Sequence, residues 1–117
     1  MEALECIKTR RSCRKFKEEA VSHEVLEEVV AAAAYAPSWK NTQITRYIVV
    51  EDRDKINKIA NDCVLGFEYN TKTISRCPVL VVVTMVKNRS GYEKDGSYTT
   101  SKGDRWEMFD AGIATQT

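Results

Sequence analysis

Apolar residues recur at helical spacing over several stretches of the chain. The clearest stretch follows Ser22, a residue type that caps helix N-termini, and it continues until Pro37 ends the helical pattern. Shorter helices are predicted over residues 2–9 and after Asp52. The helix after Asp52 is expected to direct four side chains inward, those of Ile56, Ile59, Ala60 and Cys63.

Two stretches have the composition of strands. Residues 45–52 (TRYIVVED) are rich in β-branched and aromatic side chains and end in acidic turn residues. Residues 79–86 form a nearly continuous apolar run, which is typical of a strand whose sheet is covered on both faces. This second stretch is therefore predicted to be a central strand.

The segment between the second strand and the last helix has no hydrophobic period. Residues 87–103 contain three glycines and two tyrosines, and loops of this length are usually either functional or mobile. The helix that follows is predicted to begin with a capping box formed by Asp104 and Glu107. Its predicted buried face consists of Trp106, Phe109 and Ile113 together with the small residues Ala111, Gly112 and Ala114.

The last helix has no stop signal. It reaches residue 117 without a glycine cap, a cationic last turn or a proline. We therefore expect residues 1–117 to be a single domain whose C-terminal portion is missing.

Charge and composition narrow the class of protein. Eighteen Lys and Arg residues balance 17 Asp and Glu residues, so the chain lacks the overall basic field of a nucleic-acid-binding protein. No unbroken apolar run in the chain, residues 79–83 included, approaches the length needed to span a bilayer, and no signal peptide is evident. We expect a cytoplasmic protein with neither a nucleic-acid nor a membrane partner. Four scattered cysteines and one histidine leave almost no zinc ligands, so no metal site is expected.

The positive charge is concentrated in residues 10–17, which we call the arginine segment. Five of its eight residues are cationic. The segment can be a solvated stretch balanced by the glutamates that follow, or a nucleic-acid patch in which Phe16 stacks on a base. It can also be a compact site for a phosphate ester, because arginine holds two phosphate oxygens at once and Ser12 adds a hydroxyl. The charge pattern alone leaves all three interpretations open.

A second polar stretch, YAPSWKNTQ, occupies residues 35–43 between the longest helix and the first strand. Pro37 fixes its backbone, and uncharged hydrogen-bonding groups lie on both sides of Trp39 in the sequence. Taken alone, this stretch is also compatible with an ordinary loop that contains an Asx turn.

The two stretches together, R-R-S-x-R-x-F and A-P-S-x-x-N-x-Q, resemble the nitroreductase family of flavin enzymes. The likeness extends to RCPVLVVV and WEMFDAGIATQ, which are similar to the family's central strand and core helix in the same order. The resemblance implies an α+β fold, a three-layer α/β/α sandwich in which helices flank a central sheet. It also implies an intertwined homodimer with FMN at the subunit interface.

The resemblance assigns the cofactor-binding residues by position. It implies that Arg10 holds the FMN phosphate, that Arg11 and Ser12 add backbone and hydroxyl contacts, and that Arg14 lies at the pyrimidine edge of the flavin. Asn70, in EYNTK, is similar to a position whose amide binds the flavin ring. The rim of the cofactor would be lined from the partner subunit by Pro37, Ser38, Trp39, Asn41 and Gln43.

The resemblance further implies an FMN-dependent NAD(P)H oxidoreductase with a ping-pong mechanism. NAD(P)H, the co-substrate, would pass a hydride to the flavin and leave, and a nitroaromatic, a quinone or a similar electron-poor small molecule would then be reduced. No side chain is assigned as a catalytic acid or base. Two alternatives remain open at this point, namely a non-catalytic module that binds FMN or a phosphate ester, and a small nucleic-acid-binding protein.

Overall fold

Five α-helices, a short 3₁₀-helix at Trp39–Asn41 and two strands occur in the computed structural model, which describes residues 2–117. The α-helices and strands follow one another in the order α1, α2, β1, α3, α4, β2, α5. The mixture of helices with one small antiparallel sheet agrees with the expected α+β class. The bounds are α1 Ala3–Thr9, α2 His23–Ala33, β1 Thr45–Val50, α3 Arg53–Asp62, α4 Glu68–Ile74, β2 Leu80–Met85 and α5 Arg105–Gln116.

The described chain divides into two compact units. The first unit contains residues 2–19 and 51–78, and therefore α1, α3 and α4. Its centre is formed where α3 packs against α4, with Ile56 and Ala60 fully buried. The Thr71 hydroxyl of α4 donates to the Ala60 carbonyl at 2.8 Å, which ties the two helices together.

Helix α4 was not predicted, and its end is held by a side chain from α3. The guanidinium group of Arg53 donates to the Ser75 carbonyl and to the Cys77 carbonyl, each at 2.8 Å. Cys77 is buried, and this burial raises the pKa of its thiol. Cys63, in contrast, is exposed, so the prediction that it points inward is wrong.

The second unit contains residues 20–50 and 79–117, and therefore α2, both strands and α5. The strands are antiparallel, and the register pairs Thr45 with Met85 and Val50 with Leu80. Helix α5 packs against both strands and against α2. No residue of either strand is fully buried, and Ile48 and Val81 are 54% and 43% exposed on opposite faces. The apolar run of β2 predicted cover on both faces, which residues 2–117 do not supply by themselves.

Two of the three predicted helix caps are confirmed. The Ser22 hydroxyl accepts a hydrogen bond from the Val25 amide at 3.3 Å, and the Asp52 carboxylate accepts one from the Lys55 amide at 2.9 Å. The capping box at the start of α5 is wrong, because the side chain of Asp104 makes no cap hydrogen bond.

The buried face of α5 also differs from the prediction. The buried residues are Glu107, Asp110, Ala111 and Ala114, which follow helical spacing, whereas Phe109 is 59% exposed. The Glu107 carboxylate accepts a hydrogen bond from the Asn88 amide at 2.8 Å and another from the Lys87 ammonium group. The helix is therefore turned so that the Glu107 and Asp110 carboxylates face neighbouring backbone while the Phe109 ring is exposed.

Candidate functional site

The arginine segment follows α1 as exposed, non-helical chain in the first unit. The Arg10 amide donates to the Cys6 carbonyl at 3.1 Å and ends α1, so its side chain leaves the helix terminus. The Arg11 guanidinium donates to the carbonyls of Lys8 and Arg10, and that of Arg14 donates to the Ser12 carbonyl. Within residues 2–117 no carboxylate forms an ion pair with these three arginines. Most of their N–H donors are therefore directed to solvent and available to an anion.

Helix α4 supports the last arginine of the segment. The guanidinium carbon of Arg14 lies 5.6 Å from the centre of the Tyr69 ring, within the range of a cation–π contact. Asn70 is the next residue of α4 and is exposed. The first unit thus brings Arg14 to the helix that carries Asn70. Tyr69 was not identified from the sequence, because α4 itself was not.

The second unit contains residues 37–43, which we call the polar loop. Three of its non-glycine residues have left-handed backbone, with φ of 43° at Lys40, 53° at Asn41 and 48° at Gln43. This conformation costs L-amino acids on the order of 1 kcal/mol or more per residue, so surrounding contacts must hold it. The Ser38 hydroxyl accepts from the Gln43 amide at 2.9 Å, and the Arg46 guanidinium donates to the Gln43 carbonyl at 2.7 Å.

A buried carboxylate holds the start of the strained part of the loop. Both carboxylate oxygens of Asp110 lie 3.1 Å from the Trp39 amide nitrogen and accept its hydrogen bond. The Ser90 hydroxyl donates to the same carboxylate at 2.5 Å. Asp110 is 2% exposed and Ser90 is fully buried. The carboxylate therefore joins the polar loop to α5 and to the segment that follows β2.

The polar loop forms one wall of a cleft of about 440 Å³ in the second unit. This volume falls within the roughly 300–1,000 Å³ typical of small-molecule pockets. Small side chains of α2 line a further part of it, and polar atoms are contributed by the loop, β1 and α5. The lining includes Ala33, Ala34, Pro37, Ser38, Gln43, Arg46, Tyr47, Asp110 and Ala114.

One polar atom of a cleft-lining residue has no partner. The Tyr47 hydroxyl oxygen is inaccessible to water and makes no hydrogen bond within the described part of the chain. A buried hydroxyl without a partner costs about 1–3 kcal/mol. The second unit therefore contains a buried hydroxyl, on a residue that lines the cleft, whose hydrogen bond the described residues do not satisfy.

The segment 87–103, expected to be functional or mobile, is a folded loop. Tyr92 and Tyr98 form a β-bridge, and their ring centres are 5.0 Å apart. A hydrogen bond between the two side chains raises the pKa of Tyr92 to about 12. The Trp106 indole donates to the Thr100 hydroxyl at 2.9 Å, which attaches the loop to α5.

A salt bridge connects this folded loop to the polar loop. The Lys40 ammonium group lies 3.3 Å from a Glu93 carboxylate oxygen and 4.6 Å from the centre of the Trp39 ring. The Thr99 hydroxyl donates to the same Glu93 oxygen at 2.8 Å. The hydrogen bond from Thr99 and then that from Lys40 lower the pKa of Glu93, because both favour the ionised carboxylate.

The predicted site residues fall into two sets. Arg10, Arg11, Ser12, Arg14 and Asn70 lie in the first unit, and the five predicted residues of the polar loop lie in the second. Within the second set, Pro37, Ser38 and Gln43 line the cleft, whereas Trp39 and Asn41 do not. Across residues 2–117 no group of three or more His, Cys, Asp or Glu side chains is arranged to hold a metal ion. None of the helices described in that range combines the length and apolar character needed to cross a membrane.

A family model decides which proteins this chain is related to. Residues 7–117 match the model of the nitroreductase family. The chain belongs to the nitroreductase family. The match includes the arginine segment, the polar loop and α5, and so it confirms the resemblance on which the site residues were chosen.

Solved structures of the family have the same fold. A nitroreductase family protein from Clostridium novyi NT superposes with a TM-score of 0.78 at 28% identity, covering 99% of this chain and 60% of that protein. An FMN-dependent nitroreductase from Clostridium difficile R20291 superposes with a TM-score of 0.67 at 29% identity, covering 97% of this chain and 56% of that one. The chain thus has the nitroreductase fold over little more than half the length of these proteins.

A curated relative is similar over a shorter stretch. A protein of Archaeoglobus fulgidus, whose provisional name is NADH dehydrogenase/NAD(P)H nitroreductase, is 38% identical over 65 residues. The matched segment covers 56% of this chain and 37% of that relative.

Sequence reasoning missed the residues that support the site. Asp110 contacts Trp39, Tyr69 contacts Arg14, and Ser90 holds Asp110 in place, yet none of the three belongs to either polar stretch. Asp110 was visible only as a polar residue inside the apolar stretch of α5. A carboxylate at helical spacing among buried alanines is the pattern that could have identified it, because such a group needs buried donors.

Proposed function

We propose that this chain binds FMN as part of an oxidoreductase that takes hydride from NAD(P)H and reduces an electron-poor small molecule. Nitroaromatics and quinones are the acceptor classes that fit this chemistry. The observation that carries the proposal is the exposed arginine segment, whose guanidinium groups form no ion pair within residues 2–117. The ion pair that the segment does form, between Lys17 and Glu19 at 3.8 Å, leaves its arginines available.

The arginine segment suits a phosphate ester better than a nucleic acid. Arg10, Arg11 and Arg14 fall within five positions, while the whole chain has a net charge of only +1. Charge-assisted hydrogen bonds contribute about 1.5–3 kcal/mol each, so two arginines suffice to hold a phosphate dianion. In this proposal Arg10 holds the FMN phosphate, with Arg11 and Ser12 beside it. Long nucleic acids would need a second basic stripe, which the sequence does not contain.

The cleft of the second unit has the character that a flat ring system needs. Ala33 and Ala34 have side chains too small to obstruct a ring, and Ser38 and Gln43 supply a few polar atoms at its edge. Tyr47 also lines the cleft, and its buried hydroxyl has no hydrogen-bond partner among the described residues. These residues therefore fit an isoalloxazine ring with its rim of nitrogen and oxygen atoms.

The chemistry of the reaction belongs mainly to the cofactor, since bound FMN supplies the capacity to accept hydride and to release electrons. The chain's own residues bind and orient it. Arg14, held against Tyr69, brings a cation to the pyrimidine edge, and Asn70 on the same helix adds an amide. The polar loop would contribute Pro37, Ser38, Trp39, Asn41 and Gln43 to the rim from the second copy of a homodimer.

The test is a flavin titration followed by an activity assay. Apo protein is titrated with FMN while flavin fluorescence is recorded, and NAD(P)H oxidation is then measured with a nitroaromatic acceptor. We expect bound, quenched flavin and acceptor-dependent oxidation. Arg10→Ala removes the main phosphate ligand and is expected to weaken FMN binding by about 10- to 100-fold.

Arg76→Ala is the matched control, because Arg76 is an exposed arginine of the same unit outside the arginine segment. It should leave FMN affinity unchanged. Wild-type protein that leaves FMN fluorescence unchanged would refute the proposal. Bound flavin without any NAD(P)H oxidation would instead identify a non-catalytic FMN-binding module. The cytoplasmic location also remains a prediction.

A further inference from the structure

We infer that Asp110 is a positioning residue that holds the polar loop in the strained conformation in which it contacts the cofactor. The inference rests on the proposed function for the identity of the ligand. Its structural part concerns the second unit alone and can be tested without FMN. Nothing in the two polar stretches of the sequence assigns Asp110 a part in binding.

The geometry places the carboxylate where the strain begins. Asp110 accepts the Trp39 amide hydrogen with both oxygens at 3.1 Å, and the next two residues, Lys40 and Asn41, have positive φ. The Trp39 amide is therefore the last donor before the left-handed turn. An acceptor fixed at this point keeps the peptide plane in the orientation that the turn requires.

The carboxylate is itself fixed, which a positioning residue must be. Asp110 is 2% exposed, and the fully buried Ser90 donates its hydroxyl hydrogen to it at 2.5 Å. A buried carboxylate with two hydrogen-bond donors is held strongly, because breaking either hydrogen bond would leave a polar group without a partner in the protein interior. Its place on α5, which packs against both strands and α2, fixes it to the rigid part of the unit.

The same side chain lies between the loop and the cleft. Asp110 lines the cleft together with Pro37, Ser38 and Gln43, the three loop residues that face it. Moving the Trp39 peptide would shift the Ser38 hydroxyl and the Gln43 amide, which are hydrogen-bonded to each other at 2.9 Å. Asp110 is thus linked through one backbone hydrogen bond to the polar atoms proposed to contact the flavin rim.

Helix α5 supplies a matched control. Glu107 lies three residues before Asp110, is 1% exposed and also holds a backbone amide, that of Asn88. It has no hydrogen bond to the polar loop. Asp110→Asn and Glu107→Gln each remove one buried negative charge from the same helix, but only the first acts on residue 39.

The experiment measures amide hydrogen exchange of the 117-residue chain without FMN, followed by FMN titration. We expect Asp110→Ala to accelerate exchange at residues 39–43 by about 10- to 100-fold and to weaken FMN binding by at least about tenfold. Asp110→Asn keeps one acceptor oxygen, so it should retain part of the exchange protection at residues 39–43 and part of the FMN affinity. Exchange in β1 and in the rest of α5 should be unchanged in the Asn variant, which separates positioning from general stability.

Two results of the hydrogen-exchange measurement would overturn the inference. One is unchanged exchange at residue 39 in both Asp110 variants. The other is accelerated exchange at residues 39–43 in Glu107→Gln to the same degree, which would indicate a loss of helix stability. If the Asp110 variants loosen the loop but FMN affinity stays as in the wild type, the loop is not part of the flavin site and the inference fails. If even the wild type binds no FMN, the proposed function fails while the exchange data still decide the role of Asp110.

Discussion

At Gly91 the backbone passes so close to its neighbours that no side chain fits. Its φ is +86°, and a Cβ atom there would lie 2.3 Å from the Gly103 carbonyl oxygen and 2.9 Å from the Trp106 ring. Gly96 has almost the same φ, +87°, but a Cβ atom there would meet nothing within 4 Å. Comparing substitutions at the two glycines therefore distinguishes the cost of positive φ from the cost of steric overlap.

Gly91→Ala is expected to destabilise the protein more than Gly96→Ala. Both substitutions force alanine into positive φ. Only the first also pushes the new methyl group against the Gly103 backbone, which costs about 1–3 kcal/mol more. The free energies of unfolding of both variants would be measured by urea denaturation. Equal losses in the two variants would show that the 87–103 segment yields at Gly91 and is not tightly packed.

Single residues also show what the sequence could not predict. Helical spacing correctly identified α5, but it assigned Phe109 to the buried face, and Phe109 is 59% exposed. The face is decided by Glu107 and Asp110, whose carboxylates find backbone and hydroxyl donors more than 15 residues away in the sequence. Because polar residues are assumed to face water, a pattern of apolar positions cannot find a buried carboxylate whose partners are distant.

Among the structural elements, the Lys40–Glu93 salt bridge links two loops in a pH-dependent way. The pKa of Glu93 is below its ordinary value of 4.5 because the ionised carboxylate accepts hydrogen bonds from Thr99 and Lys40. A lowered pKa in the folded state means that the contribution to stability is fully present above the unfolded-state pKa. It is lost as the pH falls below about 4.5 and through the folded-state pKa.

The pH dependence can be isolated with Glu93→Gln. At pH 7 the variant is expected to unfold at a slightly lower temperature than the wild type, since an exposed salt bridge contributes little. The difference should shrink as the pH falls below about 4.5 and through the lowered folded-state pKa, because protonation then removes the same charge from the wild type. Thermal unfolding followed by circular dichroism at each pH measures it. Glu28→Gln, at an exposed carboxylate within α2 without a salt bridge in residues 2–117, is the control. A difference that grows as the pH falls would contradict the expected sign.

Elements with local start signals were predictable, and one without them was not. The caps at Ser22 and Asp52 were found because cap and helix are adjacent in the sequence. Helix α4, with the sequence EYNTKTI, has no apolar period, and Phe67 before it makes no side-chain cap. It is held instead by packing against α3 and by the bond from Thr71 to the Ala60 carbonyl. Tertiary contacts of this kind are not visible in single-sequence patterns.

For the whole molecule, the sequence predicted the family and its fold but not which surfaces remain uncovered. Residue types and spacing in the arginine segment and the polar loop were sufficient for the family, because the family match confirms them over residues 7–117. The apolar run of β2 predicted a strand covered on both faces, yet Val81 remains 43% exposed. A hydrophobic pattern indicates that a residue will be buried. It does not specify whether the residue is buried by its own chain or by another chain.

The exposed apolar face of α2 is the surface on which the proposed homodimer can be tested. Val25 and Val29 are 48% and 62% exposed, and a groove beside them is lined by Val30, Ala31 and Val49. Apolar patches of this kind on a folded unit favour association. We expect the wild-type chain to sediment as a dimer whose fraction rises with protein concentration.

Val29→Glu places a charge on this face and should shift the equilibrium to monomer, weakening association by about tenfold or more. Ser101→Glu introduces the same charge at an exposed polar position of the 87–103 segment and serves as the control. Sedimentation velocity at several protein concentrations measures the dimer fraction of both variants, and circular dichroism verifies that each variant is folded. A wild-type chain that remains monomeric at every concentration would contradict the dimer. Equal weakening by both variants would mean that added negative charge opposes association wherever it lies, and that the α2 face is not the contact surface.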